Sequence, residues 1–158
     1  MFTRFGDWRK VQVLIGKLSK TFKEAQIEAL TKVGLFAESR AKKHISSQDL
    51  GWKPLKPETK RNKQRDGYST SILVHTSAYF QSITSWRKGD TVYVGVKKVA
   101  RGKEGENIAN IAKIHEYGAP KNNIPARPLW RPVLKESVQW LNKNSPEKLV
   151  IKKLKKYT

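Results

Sequence analysis

From residue 8 to residue 45 apolar side chains recur at spacings of three and four: Trp8, Val11, Leu14 or Ile15, Leu18, Phe22, Ala25, Ala29, Val33, Phe36 or Ala37, and Ala41. That period marks one face of an α-helix. Thr21 with Glu24 three residues later is a capping-box pattern, which suggests a short helix ahead of a longer one over about 21–45; the alternative is one unbroken stripe. On the longer helix Ala25, Ala29, Gly34, Ala37 and Ala41 are small enough for another backbone to approach closely, within the fold or from a neighbouring subunit.

The periodicity stops between Ser46 and Ser71. Gly51, Pro54, Pro57 and Gly67 punctuate this stretch, and the run Lys60-Arg61-Asn62-Lys63-Gln64-Arg65 makes it basic. It reads as a long loop, anchored by Trp52 and Leu55 and mobile after Lys56. Residues 72–99 read as the sheet. Thr84–Arg87 and Thr91–Val96 flank Lys88-Gly89-Asp90, which predicts a β-hairpin, and Val92, Val94 and Val96 alternate with Thr91, Tyr93 and Gly95, which predicts one buried face. A polar loop over 100–107 leads to a short helix from Asn107 to Tyr117, with Gly118 placed to end it in a left-handed cap. A Pro-rich extended segment, Ala119–Arg127, precedes a last helix from about Leu129. Pro128 and Pro132 suit its first turn, and Trp130, Val133 or Leu134, Val138 and Leu141 supply its inner face. These elements predict an α+β fold with helices packed on a small antiparallel sheet and long loops. Residues 1–143 form a single domain and residues 144–158 a basic tail, to which Leu149, Val150, Ile151 and Leu154 give some apolar character.

Charge changes the picture more than any other compositional fact. The chain has 33 Lys and Arg against 13 Asp and Glu, a net charge of +20 and a pI near 10.3. Such a field favours nucleic acid, acidic membrane or acidic protein partners, although lysines scattered over helices, loop and tail also describe a solvated basic surface. Lys60, Arg61, Lys63 and Arg65 are the candidate DNA-facing cations. No stretch of the sequence reaches the roughly 20 apolar residues needed to span a bilayer, and no signal peptide opens it, so a cytosolic protein with no membrane partner is expected.

The residues that could carry catalysis do not fall into a recognised pattern. Cysteine is absent, which excludes disulfides, thiolate nucleophiles and thiolate-bound metal. His115-Glu116 begins like a zinc-protease helix, but the position four residues after His115 is Ala119. Asp7, Asp49, Asp66 and Asp90 sit beside turns, where carboxylates cap backbone N–H groups. Ser77 and Ser82 lack a nucleophile elbow, and Gly102-Lys103-Glu104-Gly105 has only the spacing of a KH-type loop. His44 and His75 read as packing or solvent-facing residues. No catalytic residue, cofactor or metal site is expected, and the chain reads as a non-enzyme.

Five blocks succeed one another along the chain: Trp52-Lys53-Pro54-Leu55 with Thr59; Leu73 through Ile83; Asp90-Thr91-Val92-Tyr93-Val94-Gly95; Ile114-His115-Glu116-Tyr117-Gly118; and Ile124-Pro125-Ala126-Arg127-Pro128-Leu129-Trp130-Arg131-Pro132-Val133-Leu134. With the N-terminal helix, their order resembles the phage tail-completion and head–tail joining family, also described as virion morphogenesis proteins and tail terminators, over about residues 20–140. Ser77 stands where that family usually has Gly, His75 where it has an acidic residue, and Ile111 where an aromatic is common. The resemblance implies an α+β subunit of a ring, commonly of six copies, that caps the tail tube or joins it to the head connector. It would be assembled in the host cytoplasm and carried in the virion. The partners so implied are other copies of the chain, the tail tube and the connector or stopper proteins, with phage DNA in the lumen as a further contact. Trp52, Leu55, His115, Glu116, Tyr117, Ile124, Arg127 and Trp130 are the candidate interface residues. Arg127, on a stiff segment, suits a planar ion pair with a neighbour's carboxylate or one within its own subunit.

Overall fold

The computed structural model describes residues 8–145, 147, 148 and 151. The opening residues through Asp7, and Leu149, Val150 and Leu154 of the tail, lie outside the described residues. Among the described residues five α-helices and one hairpin follow in order: α1 (Trp8–Ser47), α2 (Pro57–Arg65), α3 (Ala78–Ser82), β1 (Ile83–Lys88), β2 (Thr91–Val96), α4 (Ile108–Tyr117) and α5 (Trp130–Lys143), with a short 3-10 turn at Pro120–Asn122. The fold is α+β. The two strands pair antiparallel with Ile83 opposite Val96 and Lys88 opposite Thr91, closed by the two-residue turn Gly89-Asp90.

The first helix is continuous for 40 residues. The capping-box pattern at Thr21 and Glu24 starts nothing, because the backbone N–H groups there already have partners in the turn before. A helix of this length is about 60 Å long, whereas a compact chain of this size is about 40 Å across, so part of α1 must stand clear of the body. The burial pattern locates that part. Ala25, Ala29, Gly34, Ala37, Ala41, His44 and Ile45 are buried, while Trp8, Val11, Ile15, Leu18 and Phe22, on the same stripe, are 42–61% exposed.

Small residues on α1 let the hairpin lie close across it. A Cβ built at Gly34 would sit 2.6 Å from Val92 Cγ1. Glu38 fixes the crossing: its Oε2 accepts from the Ser85 backbone N–H at 2.7 Å and from the Ser85 hydroxyl at 2.9 Å. Against the same helix, α5 stacks Trp140 on Phe36 with ring centroids 5.5 Å apart. An ion network joins the two helices, in which Arg40 pairs with Glu136 and the buried His44 faces Glu136 at 3.2 Å and Asp49 at 2.6 Å. Ile45, Ile83, Ile108, Leu129 and Val133 are the largest fully buried side chains, each contributing about 2 kcal/mol by burial.

Several local expectations need correction. The basic run is not loop but helix α2, which has Pro57 in its first turn, Glu58 near its N-terminus, and Lys63 and Arg65 near its C-terminus. The sheet does not begin at 72: Leu73 and Ser77 have positive φ, which breaks an extended chain, and α3 intervenes before β1. On α5 the inner face is Val133 and Ser137, with Trp130 half-buried; Leu134 and Val138 point outward at 65% and 49% exposed. Gly118 has the expected positive φ of 77°, but with ψ of 169° it is an extended, glycine-only conformation rather than a left-handed helical cap.

Candidate functional site

Three sequence blocks far apart in the chain close into one hydrogen-bonded unit. Trp52 turns inward, and its indole N–H donates to the Pro128 carbonyl at 2.9 Å. The backbone N–H of Arg127 donates to the His115 carbonyl at 2.6 Å, and Arg127 Nε donates to the Lys53 carbonyl at 3.3 Å. Glu116, one residue after His115, reaches the start of α5 and accepts there from two backbone N–H groups. Gly118 is required in this arrangement, since a Cβ would lie 2.9 Å from the Ala126 nitrogen. Ala119 bridges to Ile124 and turns the chain between α4 and α5.

Beside this unit lies a cavity of about 400 Å³. Leu55, Leu73, Val74, Tyr79, Ile108 and Ile111 make most of its wall apolar, and Lys63, His115 and Arg127 face it together. Lys63 and Arg127 are only 8% and 6% exposed. The helix α2 delivers Lys63, which donates to the carbonyls of Ser71 (2.8 Å) and Val74. A second cavity, of about 780 Å³, lies on the other side of Leu55 and Thr59 and shares His115 and Arg127 with the first.

The electrostatics of the cluster are those of two buried cations and a histidine held together with no counter-charge among the described residues. Burial pushes Lys63 below its usual range, and the charge of Arg127 adds to it. His115 is likewise held below its ordinary value, first by burial and then by Arg127 and Lys63. Burial also lowers Arg127. Among the described residues no carboxylate forms an ion pair with any of the three: Asp66, on the cavity wall, pairs with Arg65, and Glu106, also on the wall, accepts from the Glu104 backbone N–H. The buried Nδ1 of His115 has no hydrogen-bond partner among the described residues.

The sequence-based site residues therefore divide. Trp52, Arg127 and Lys63 are buried in their own subunit, which corrects the expectation of Trp52 and Arg127 as surface contacts and of Lys63 as a DNA-facing cation. Among the described residues Arg127 pairs with no carboxylate of its own subunit; its Nε donates to the Lys53 backbone carbonyl. Leu55, His115, Glu116, Ile124 and Trp130 are half-buried, and Tyr117 stands 67% exposed. Lys60, Arg61 and Arg65 remain exposed on α2. Reading the basic run as one solvated surface missed the inward role of Lys63. The available signal was its spacing of four from Thr59, which places both on one face of a helix. Among the described residues no group of three or more His, Asp and Glu side chains is placed to hold a metal ion, and no helix is long and apolar enough to cross a membrane.

No family model matches the chain, and no solved structure matches it. It is similar to the uncharacterized protein MJ0331 of Methanocaldococcus jannaschii, with 31% identity over 94 residues. That alignment takes in 58% of this chain and 63% of the relative, so the chain spans less than two thirds of the relative's length.

Proposed function

We propose that this chain is a non-catalytic structural subunit of a ring at the head–tail junction of a tailed bacteriophage, where the ring caps the tail tube and joins it to the head connector. The ordered blocks from Trp52 to Leu134 suggest the family. The observation that carries the assembly reading is α1: its apolar stripe runs on for some 15 residues beyond the body, about 22 Å, and the large apolar side chains there stay exposed among the described residues. Large exposed apolar side chains in a row mark a surface that another chain covers. A projecting arm that seats on the next copy is a heterologous contact, and when its rotation closes, such a contact makes a ring. Tyr117, Leu134 and Val138, also exposed, offer a second apolar patch on the α4 and α5 side of the body for the partner half of that contact.

Infection with phage lacking the gene tests the reading. Electron microscopy should find filled heads and free tails that fail to join, or tails of uncontrolled length. Complementation by the normal gene should restore virions, and complementation by an Ile15→Glu, Leu18→Glu variant should not. Normal virions from the deletion would overturn the reading.

A second reading, a basic nucleic-acid-binding module, has its own support in Lys60, Arg61 and Arg65, exposed together on α2. It requires tight duplex binding that weakens about a thousandfold from 50 to 200 mM salt if six or more phosphates are engaged. A weak, flat salt response removes it.

A further inference from the structure

We propose that the cavity bounded by Lys63, His115 and Arg127 is a binding site for a small organic oxyanion, a carboxylate or phosphate ester attached to an apolar body. The site belongs to the single subunit and stands independently of the ring reading.

Unused donors argue for the ligand's charge. Lys63 spends two of its three N–H groups on the Ser71 and Val74 carbonyls, and Arg127 spends only Nε, on the Lys53 carbonyl. The Nη groups of Arg127 have no hydrogen-bond partner among the described residues and are open to solvent, whereas the unpartnered Nδ1 of His115 is enclosed. A guanidinium fork beside an ammonium is a donor set that grips a carboxylate or phosphate. Among the described residues the other buried or half-buried cations do have opposite charges beside them: Arg40 with Glu136, Lys42 with Glu38, and His44 between Asp49 and Glu136. Among the described residues this cluster alone combines burial, like charge and free donors, a combination that an incoming anion relieves.

Shape and lining argue for the ligand's body. Inorganic phosphate would fill a small part of about 400 Å³, and the rest of the wall is Leu73, Val74, Tyr79, Ile108 and Ile111. A few convergent polar groups at one end of an apolar cleft fit an amphipathic anion, with the acid group on the cations and the body against the aliphatic wall.

Titration calorimetry of the full chain with phenyl phosphate, benzoate, inorganic phosphate and phenol tests the proposal. Phenyl phosphate or benzoate should bind at least ~10-fold more tightly than inorganic phosphate, and phenol, which lacks the anion, should show no saturable binding. Arg127→Gln should lose ~10-fold or more. Because that variant can disturb the fold, Thr59→Glu serves as a second: Thr59 is exposed on the cavity rim, and its replacement tethers a carboxylate there that competes with the probe, so affinity should drop while the protein stays folded. Lys60→Glu, one residue away but outside the cavity, changes the net charge more and should leave affinity as it was. Equal weakening by Thr59→Glu and Lys60→Glu would mean general attraction to a +20 chain and would overturn the site, as would affinities for phenyl phosphate and benzoate that both equal that for inorganic phosphate.

Discussion

The carboxylate of Glu116 caps helix α5 from outside it: Oε2 accepts from the Leu129 N–H at 2.7 Å and from the Trp130 N–H at 3.1 Å. Leu129, at the cap position, has no side-chain oxygen, so the cap is supplied from α4, and the two helices are held at a fixed angle. An anion at a helix N-terminus gains from both the unpaired N–H groups and the helix dipole. Glu116→Ala should therefore lower the free energy of unfolding by about 1–2 kcal/mol, and Glu116→Gln by less, since one amide oxygen remains to accept. The midpoint of urea unfolding measures both, and an unchanged midpoint for the alanine variant would show that the cap contributes nothing.

Gly34 gives a prediction whose sign depends on its neighbour. In an exposed helix Gly→Ala gains about 1 kcal/mol. Here the added methyl meets Val92 Cγ1 at 2.6 Å, so Gly34→Ala should destabilise by about 1–3 kcal/mol, as overpacking does. In a Val92→Ala background the obstruction is gone, and the same substitution should become neutral or stabilising. A double-mutant cycle in denaturant reads the coupling; additive effects would contradict the close crossing of helix and hairpin.

Acid should unfold the protein in two stages. His115 titrates below its ordinary 6.5 in the fold because of burial and then the Arg127 and Lys63 charges. As pH falls below 6.5 the unfolded chain takes up that proton first, and stability declines until the folded value is passed. The second stage belongs to carboxylates. Hydrogen bonding from Arg40, then the charges of Arg40 and His44, hold Glu136 below 4.5, and the His44 hydrogen bond holds Asp49 below 3.8. Burial works against Glu38, but its hydrogen bonds with Lys42 and Ser85 outweigh it and keep it below 4.5. Their stabilisation is complete above the unfolded values and is lost as pH falls through the folded ones. Unfolding midpoints from pH 8 to 3 should show both stages, with His115→Asn flattening the first and Glu136→Gln the second. A flat profile as pH falls below 6.5 would show that His115 is not held neutral.

How much of this was legible in the sequence follows the range of the interactions involved. The stripe on α1, the Gly89-Asp90 turn and the Val92, Val94, Val96 alternation are local signals, and each led to the right element. Helix α2 carries no apolar period, so periodicity passed over it; Pro57, Glu58 and the Lys63–Arg65 end were the signals of dipole and cap that marked it. The stretch before β1 was misread because apolar residues there suggested a strand, while the positive φ of Leu73 and Ser77 depends on packing. The cation cluster joins positions 63, 115 and 127, which only the tertiary fold brings to one cavity. Glu116 was singled out within its block, but its role as a cap for a helix that begins 14 residues later was not visible from spacing.

The two ends of α1 should respond differently to the same kind of change. Ile15→Lys or Leu18→Lys replaces a side chain that is 61% or 42% exposed and should move the unfolding free energy by no more than about 0.5 kcal/mol. Ala29→Leu enlarges a side chain with no exposed surface and should cost about 1–3 kcal/mol. Thermal melts of the three variants separate the cases. A large loss from Ile15→Lys would show that the arm is covered by its own subunit after all.

Because α1 is one rigid piece from the hairpin crossing to Trp8, it behaves as a lever with its fulcrum near Ala25. The 17 residues between them span about 25 Å, so a tilt of about 5° at the body displaces the tip by about 2 Å. Small changes in how Gly34 seats on Val92 are thereby magnified at the far end, and the register between whatever the tip touches and the body is set by a side chain that is absent.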